Sequence, residues 1–183
     1  MVNTKDYIEN GGFFVFNNWL NVDDYLEIEK IFEYKDMFKP KHQPHGIPFG
    51  NRLQAFPTYE SNLNPEIEFF IFNKIKEQLN IDIKDFFSIL RFVDNDEVKK
   101  SKRNGKYPSI HRDEFDIAGV LYFDQTVDGG TAFFGVDGDS VPEFVVGAYP
   151  NRLIVYNGQV LHTPMNDFTY DMRKCLVFFA NFV

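Results

Sequence analysis

The run of apolar and polar positions divides this chain into a mixed front and a back dominated by extended segments. Residues 13–16, Phe-Phe-Val-Phe, read as a short strand. Asn21 with Asp23 and Asp24 then supplies a cap and first-turn carboxylates for a helix in which Tyr25, Ile28 and Phe32 share one face. A Pro- and Gly-bearing stretch, residues 40–50, separates that helix from a short segment at 52–56. Asn64 and Pro65 stand at cap and first-turn positions ahead of Ile67, Phe70, Ile71 and Ile75, which recur at helical spacing. These two helices are expected to buttress a sheet.

From residue 86 the pattern changes. Residues 86–93 read as a strand, and a polar segment follows at 94–106 with Lys99, Lys100, Lys102 and Arg103. Two readings of that segment stand: a solvated loop, or a lid that closes over substrate and recruits an acidic peptide or carboxylate. Further on, residues 152–156 read as a strand and Asn157-Gly158 as a turn. Gln159, Val160 and Leu161 then read as a second short strand that delivers His162. The 22 Phe and 9 Tyr favour strand-rich packing, because aromatic rings suit a pleated, half-buried surface. No internal repeat is evident, and 183 residues with 44% hydrophobic content are enough for one domain spanning 1–183, a front at 1–85 and a β-rich core at 86–183.

Charge and cysteine usage restrict the partners. A formal net charge of −8 argues against nucleic acid, since phosphate binding draws on clustered Lys and Arg. The single cysteine, Cys175, sits in an apolar run and forms no intramolecular disulfide. With no signal-peptide pattern and no apolar run of membrane-spanning length, the expectation is a cytoplasmic protein without membrane contact.

The chemistry gathers in four residues. His111 and Asp113 are two apart, so on an extended chain they face one side while Arg112 faces the other. His162 follows in the second half, and Arg173 opens the last apolar run. Two imidazoles and one carboxylate are the set that holds non-haem Fe(II) on one face and leaves the remaining positions open. Arg173 adds a fixed cation able to grip a carboxylate with two parallel hydrogen bonds. Its side chain is expected to enter the interior from the strand next to His162, where the alternative is a structural ion pair with an Asp or Glu. Taken singly, each His has the bland reading of a satisfied core residue; the order and setting of the four favour an iron-dependent oxygenase that consumes an organic diacid. His42 and His45, in the Pro-rich segment, read as a surface loop, since further ligands for a second metal are missing. Tyr107 and Tyr122 are candidates for a hydroxyl contact to a co-substrate, or are packed aromatics.

Through Ile110-His111-Arg112-Asp113, Val120-Leu121-Tyr122-Phe123, Gly129-Gly130-Thr131-Ala132-Phe133-Phe134, residues 150–156, His162 and residues 173–179, the chain resembles the 2-oxoglutarate and Fe(II)-dependent oxygenases, most closely the prolyl-hydroxylase-like branch. The resemblance implies a double-stranded β-helix of the jelly-roll kind. It implies iron bound by His111, Asp113 and His162, and the distal carboxylate of 2-oxoglutarate on Arg173. It also implies hydroxylation of a C–H bond with molecular oxygen, first of a peptidyl proline or other protein side chain, then of a free amino acid or small metabolite. A metal- or ligand-binding module without oxygenation is the reading from a different class. Three positions depart from the family: Thr131 and Ala132 stand where many relatives carry Glu and Thr after the paired glycines, and Cys175 stands where some carry Ser or Thr. Halogenating relatives replace the carboxylate ligand by a small residue, so Asp113 points to hydroxylation.

Overall fold

Two antiparallel sheets face each other, and the helices pack on the outer side of the larger one. The computed structural model describes residues 3–40, 47–48, 58–96, 110–123, 129–135, 141–165 and 172–183. In chain order the strands are β1 (Phe13–Asn17), β2 (Lys39–Pro40), β3 (Ile47–Pro48), β4 (Thr58–Asn62), β5 (Ile83–Asp94) and β6 (His111–Arg112). They continue with β7 (Ile117–Tyr122), β8 (Thr131–Phe134), β9 (Phe144–Val146), β10 (Arg152–Asn157), β11 (Leu161–Pro164) and β12 (Met172–Phe182). The helices are α1 (Thr4–Glu9), α2 (Val22–Lys30) and α3 (Pro65–Leu79).

The large sheet has the order β1-β10-β7-β12-β5-β4-β2 and the small one β3-β6-β11-β8-β9. From β5 onward the chain passes back and forth between the layers, with β8 and β9 as a hairpin within the small one. This is the double-stranded β-helix that the resemblance implies. The front half is not a separate layer, because β1 pairs with β10 and β4 with β5, so strands from both parts of the chain complete one sheet.

The central strands are apolar on both faces because each face meets a different neighbour. On β12, Leu176, Phe178, Ala180 and Phe182 join a cluster with Ile28, Ile71, Ile75 and Leu79, beneath the helices. The alternate residues Cys175, Val177 and Phe179 join Val120, Tyr122, Phe133, Val146 and Tyr156 in the space between the sheets. A strand covered on both sides reads as a continuous apolar run rather than an alternation, which is the pattern of residues 175–180.

The helix caps are those the sequence predicts. Asn21 accepts a hydrogen bond from Asp24 N–H at 2.9 Å, and Asn64 accepts one from Glu66 N–H at 2.9 Å. These side chains satisfy donors that have no partner within the helix. α2 ends at Lys30, so Phe32 is delivered by a 3₁₀ turn (Ile31–Glu33), yet it is buried as expected. α3 buries Ile71, Ile75 and Leu79, while Phe70 lies outside that stripe and is exposed. α1, which the apolar pattern does not announce, is capped by Asn3 and buries only Ile8. The expected segment at 52–56, His42 and His45 lie outside the described residues.

Gly119 on β7 stands opposite Phe178 on β12, and a Cβ there would run into the Phe178 ring. The missing side chain is what lets that ring lie flat beneath the helices. Gly119→Ala is therefore expected to destabilise the fold by about 1 to 3 kcal/mol through overpacking. Chemical denaturation of the variant, with an unchanged dependence on denaturant, checks it.

Candidate metal centre

The small sheet carries the first half of the site. β6 and β11 are antiparallel neighbours with His111 directly opposite His162, so both imidazoles leave the same face of the sheet. Their ring centroids are 4.4 Å apart. Asp113 lies just past the end of β6, and its N–H donates to the Gly158 carbonyl at 2.8 Å. Gln159 Nε2 returns a hydrogen bond to the Asp113 carbonyl at 2.8 Å. The turn that precedes β11 is thus tied to the residue that follows β6, and this brings the third ligand beside the other two.

The ligand atoms of His111, Asp113 and His162 lie within 4.8 Å of one another, in the one such cluster found among the described residues. His111 Nε2 is 3.7 Å from Asp113 Oδ1, and His162 Nε2 is 3.4 Å from Asp113 Oδ2. Asp113 and His162 are buried, whereas His111 is half-buried, so the cluster is approached from the His111 side.

Protonation suits a cation. His162 Nδ1 lies 2.9 Å from the Val160 carbonyl, which can only accept, so Nδ1 carries the proton and Nε2 presents a lone pair towards Asp113. Burial, the largest influence, pulls the His162 pKa down to about 4, against the Val160 hydrogen bond and with a smaller push from the Arg91 charge. A neutral imidazole beside a buried carboxylate makes no ion pair. With the carboxylate and the second imidazole beside it, His162 Nε2 completes the two-His, one-carboxylate donor set that a divalent ion takes. The donor set therefore fits Fe(II), as the sequence pattern implies.

The large sheet carries the second half. Arg173 shares the face of Cys175, Val177 and Phe179 and so points between the sheets. It is 4% exposed, donates from Nη2 to the Gly130 carbonyl at 3.0 Å, and lies 5.7 Å from the centre of the Tyr122 ring. Gly130 adopts a φ of +101°, and a Cβ there would strike the backbone of β9, so only glycine brings this carbonyl so close to the arginine. The Tyr122 hydroxyl pairs with Thr131 Oγ1 at 2.7 Å.

Two expectations are corrected here. Arg173 does not sit on the strand next to His162: β12 lies between β5 and β7 in the large sheet, so the arginine faces the metal ligands across the sandwich. The connection between β11 and β12 changes layers, and nearness in sequence gave a false neighbour. Gln159 and Val160 likewise belong to the turn; β11 begins at Leu161, with His162 its second residue, because the Asn157 side chain and carbonyl bind Gln159 N–H and Val160 N–H and close the loop.

Tyr107 lies outside the described residues, as does most of the polar segment at 94–106. Three neighbours of the site carried no signal in the sequence. Thr131 is visible as a partner only once β8 lies across from Tyr122. Tyr156 sets its ring edge-on to His162 with centroids 4.9 Å apart, and burial together with the nearby Asp113 charge holds its pKa well above the ordinary tyrosine value. Arg91 looks like a surface charge until β5 is placed with that side chain inward.

No family model matches the sequence. No curated protein matches it either. Solved structures do match, over nearly the whole chain. A prolyl-4-hydroxylase from Pseudomonas putida is similar with a TM-score of 0.62 and 15% identity, over 97% of this chain and 96% of that one. A prolyl hydroxylase from Trichoplax adhaerens, in complex with a hypoxia inducible factor peptide fragment, gives 0.62 and 11%, over 97% and 87%. HygX from Streptomyces hygroscopicus, with nickel, 2-oxoglutarate and hygromycin B bound, gives 0.60 and 11%, over 98% and 87%. At these identities the likeness establishes a shared fold, the double-stranded β-helix.

Replacing any one of the three ligands by alanine, His111→Ala, Asp113→Ala or His162→Ala, is expected to abolish stable Fe(II) retention, because two donors compete poorly with water. Iron content after dialysis is the readout, and wild-type occupancy in a variant removes that residue from the site.

A depressed His162 pKa also makes stability depend on pH. The folded protein resists protonation of this group, so the unfolded chain binds more protons between about pH 6.5 and 4. The apo protein should therefore lose roughly 3 kcal/mol across that window on acidification, and His162→Gln should lose less. Denaturant titrations of both proteins at several pH values measure the difference.

Proposed function

We propose that this protein is an Fe(II)- and 2-oxoglutarate-dependent dioxygenase that hydroxylates a C–H bond. The observation that carries the reading is the opposition of two halves across one interior: a His-Asp-His cluster on the small sheet and a buried guanidinium on the large one. A bare metal-binding fold has no use for the second half. A diacid that reaches the metal with one end and Arg173 with the other uses both.

Each residue then has a task. His111, Asp113 and His162 hold the ion, with the Val160 carbonyl fixing the orientation of the His162 ring. Arg173, kept in place by the Gly130 carbonyl and the Tyr122 ring, receives the distal carboxylate of 2-oxoglutarate. Tyr122, linked to Thr131, offers a hydroxyl at the same end. Phe133, Tyr156 and Val177 wall the interior and keep water out. Bound iron with 2-oxoglutarate supplies the oxidising power: one oxygen molecule yields succinate, carbon dioxide and one hydroxyl on the substrate carbon.

The similar structures span both substrate classes that the resemblance implies, a prolyl peptide in one and an antibiotic in another. The fold therefore leaves the choice to residues lining the interior. No helix among the described residues is long and apolar enough to cross a membrane.

The direct test loads the protein with Fe(II) and 2-oxoglutarate without oxygen and then admits air. Succinate should form; binding without succinate would mean a ligand-binding module. Arg173→Leu should weaken 2-oxoglutarate binding by about 2 to 5 kcal/mol while iron is retained, and Arg173→Lys should fall between, since it keeps the charge and loses the fork. Calorimetric titration reads both, and a folded Arg173→Leu that binds 2-oxoglutarate like wild type removes the co-substrate assignment.

A further inference from the structure

A second guanidinium enters the same interior. On β5, Leu90 and Phe92 point to the helices, so Arg91, between them, points with Ile89 towards the small sheet. Strand register places Glu60, Arg91, Cys175 and Tyr122 side by side across the inner face of β4, β5, β12 and β7. Arg91 is thus one row from Arg173 on the neighbouring strand.

Glu60 fixes this arginine. Nε and Nη2 of Arg91 both donate to Glu60 Oε1, at 2.9 and 2.7 Å. A guanidinium has five N–H donors, and this contact engages one edge of the fork. The other edge meets no partner among the described residues. The two side chains are 22% and 16% exposed, against 4% for the residue Arg173, so the pair lines the interior closer to solvent than the proposed diacid site. Burying such a pair gains little stability over apolar side chains of the same size. What it provides is a fork held in place beside a carboxylate.

We propose that Arg91, held by Glu60, is a second anion-binding group of the site and takes the carboxylate of the molecule that is hydroxylated, whose class is a free amino acid or similar small zwitterionic acid. The inference rests on the dioxygenase reading and adds the substrate class to it. Glu60 accounts for the zwitterion. Its negative charge opposes a dianion at Arg91 and attracts an ammonium group next to the bound carboxylate. A residue in the middle of a peptide has neither group. Arg173 remains with 2-oxoglutarate, so the two acids do not compete for one cation.

The test uses the Fe(II)-loaded protein with saturating 2-oxoglutarate and follows succinate formation with each proteinogenic L-amino acid and with its N-acetyl amide, which lacks both charges. At least one free amino acid should raise succinate formation, and its masked form should be at least about 10-fold less effective, the scale of one lost charged pair. Arg91→Gln should raise the KM of that amino acid about 10-fold or more while the Kd of 2-oxoglutarate changes less than about 2-fold. Because Arg91→Gln leaves Glu60 without its cation, the double variant Glu60→Gln/Arg91→Gln, an amide pair of similar shape, repeats the measurement in a neutral background. Equal stimulation by masked and free forms overturns the proposal. So does an unchanged KM in either folded variant, or silence of the whole panel while 2-oxoglutarate binds and slowly turns over alone. Absence of 2-oxoglutarate binding in the unaltered protein would instead remove the dioxygenase reading on which this one stands.

Discussion

The pairing of β6 with β11 is the constraint on which the centre depends. His162 faces His111 only in one register, and a slip by a single residue would turn His162 to the outer face of the small sheet. β6 is two residues long and cannot hold that register through its own ladder. The hydrogen bonds between Asp113, Gly158 and Gln159 do so from outside the strand, where they also place the carboxylate. Ladder and turn therefore set all three ligands together. Loss of the turn contacts would loosen the metal centre even with every ligand still present.

The large sheet has a different task. Its middle strands are covered on both faces, by helices on one side and by the small sheet on the other, which makes it the rigid layer of the molecule. Three polar side chains of its inner face are tethered: Arg173 by Gly130, Tyr122 by Thr131, Arg91 by Glu60. A buried polar group without such a tether would cost more than the apolar residue it displaces. These tethers hold the groups in fixed positions before any ligand arrives.

Much of this was legible in the residues. Strand and helix positions followed from periodicity, capping asparagines and the Asn157-Gly158 turn, because those signals are local. The ligand triad was legible because its chemistry is carried by residue type and order. The layer in which Arg173 lies was not, since the passage of the chain between sheets leaves no mark on nearby residues. Thr131, Tyr156 and the Glu60–Arg91 pair were hidden for the same reason. Each acquires its role from a partner on another strand, up to 31 positions away in the case of Glu60 and Arg91. The short helix α1 escaped notice because a single buried side chain, Ile8, sets no period.

That Arg173 and the His-Asp-His cluster belong to opposite sheets has a consequence for how the distance between them is kept. Within a sheet, backbone hydrogen bonds space the strands at a nearly constant interval. Between sheets there is no such ruler, and the gap is set by the bulk of the side chains that fill it, among them Phe133, Val146, Val177 and Phe179. The span from arginine to metal ligands is therefore a property of side-chain volume. On the proposed reading, a methyl group gained or lost in that filling, remote from any ligand atom, would reset the length of diacid that fits, and the interior packing would be the gauge by which a five-carbon acid is told from a four- or six-carbon one.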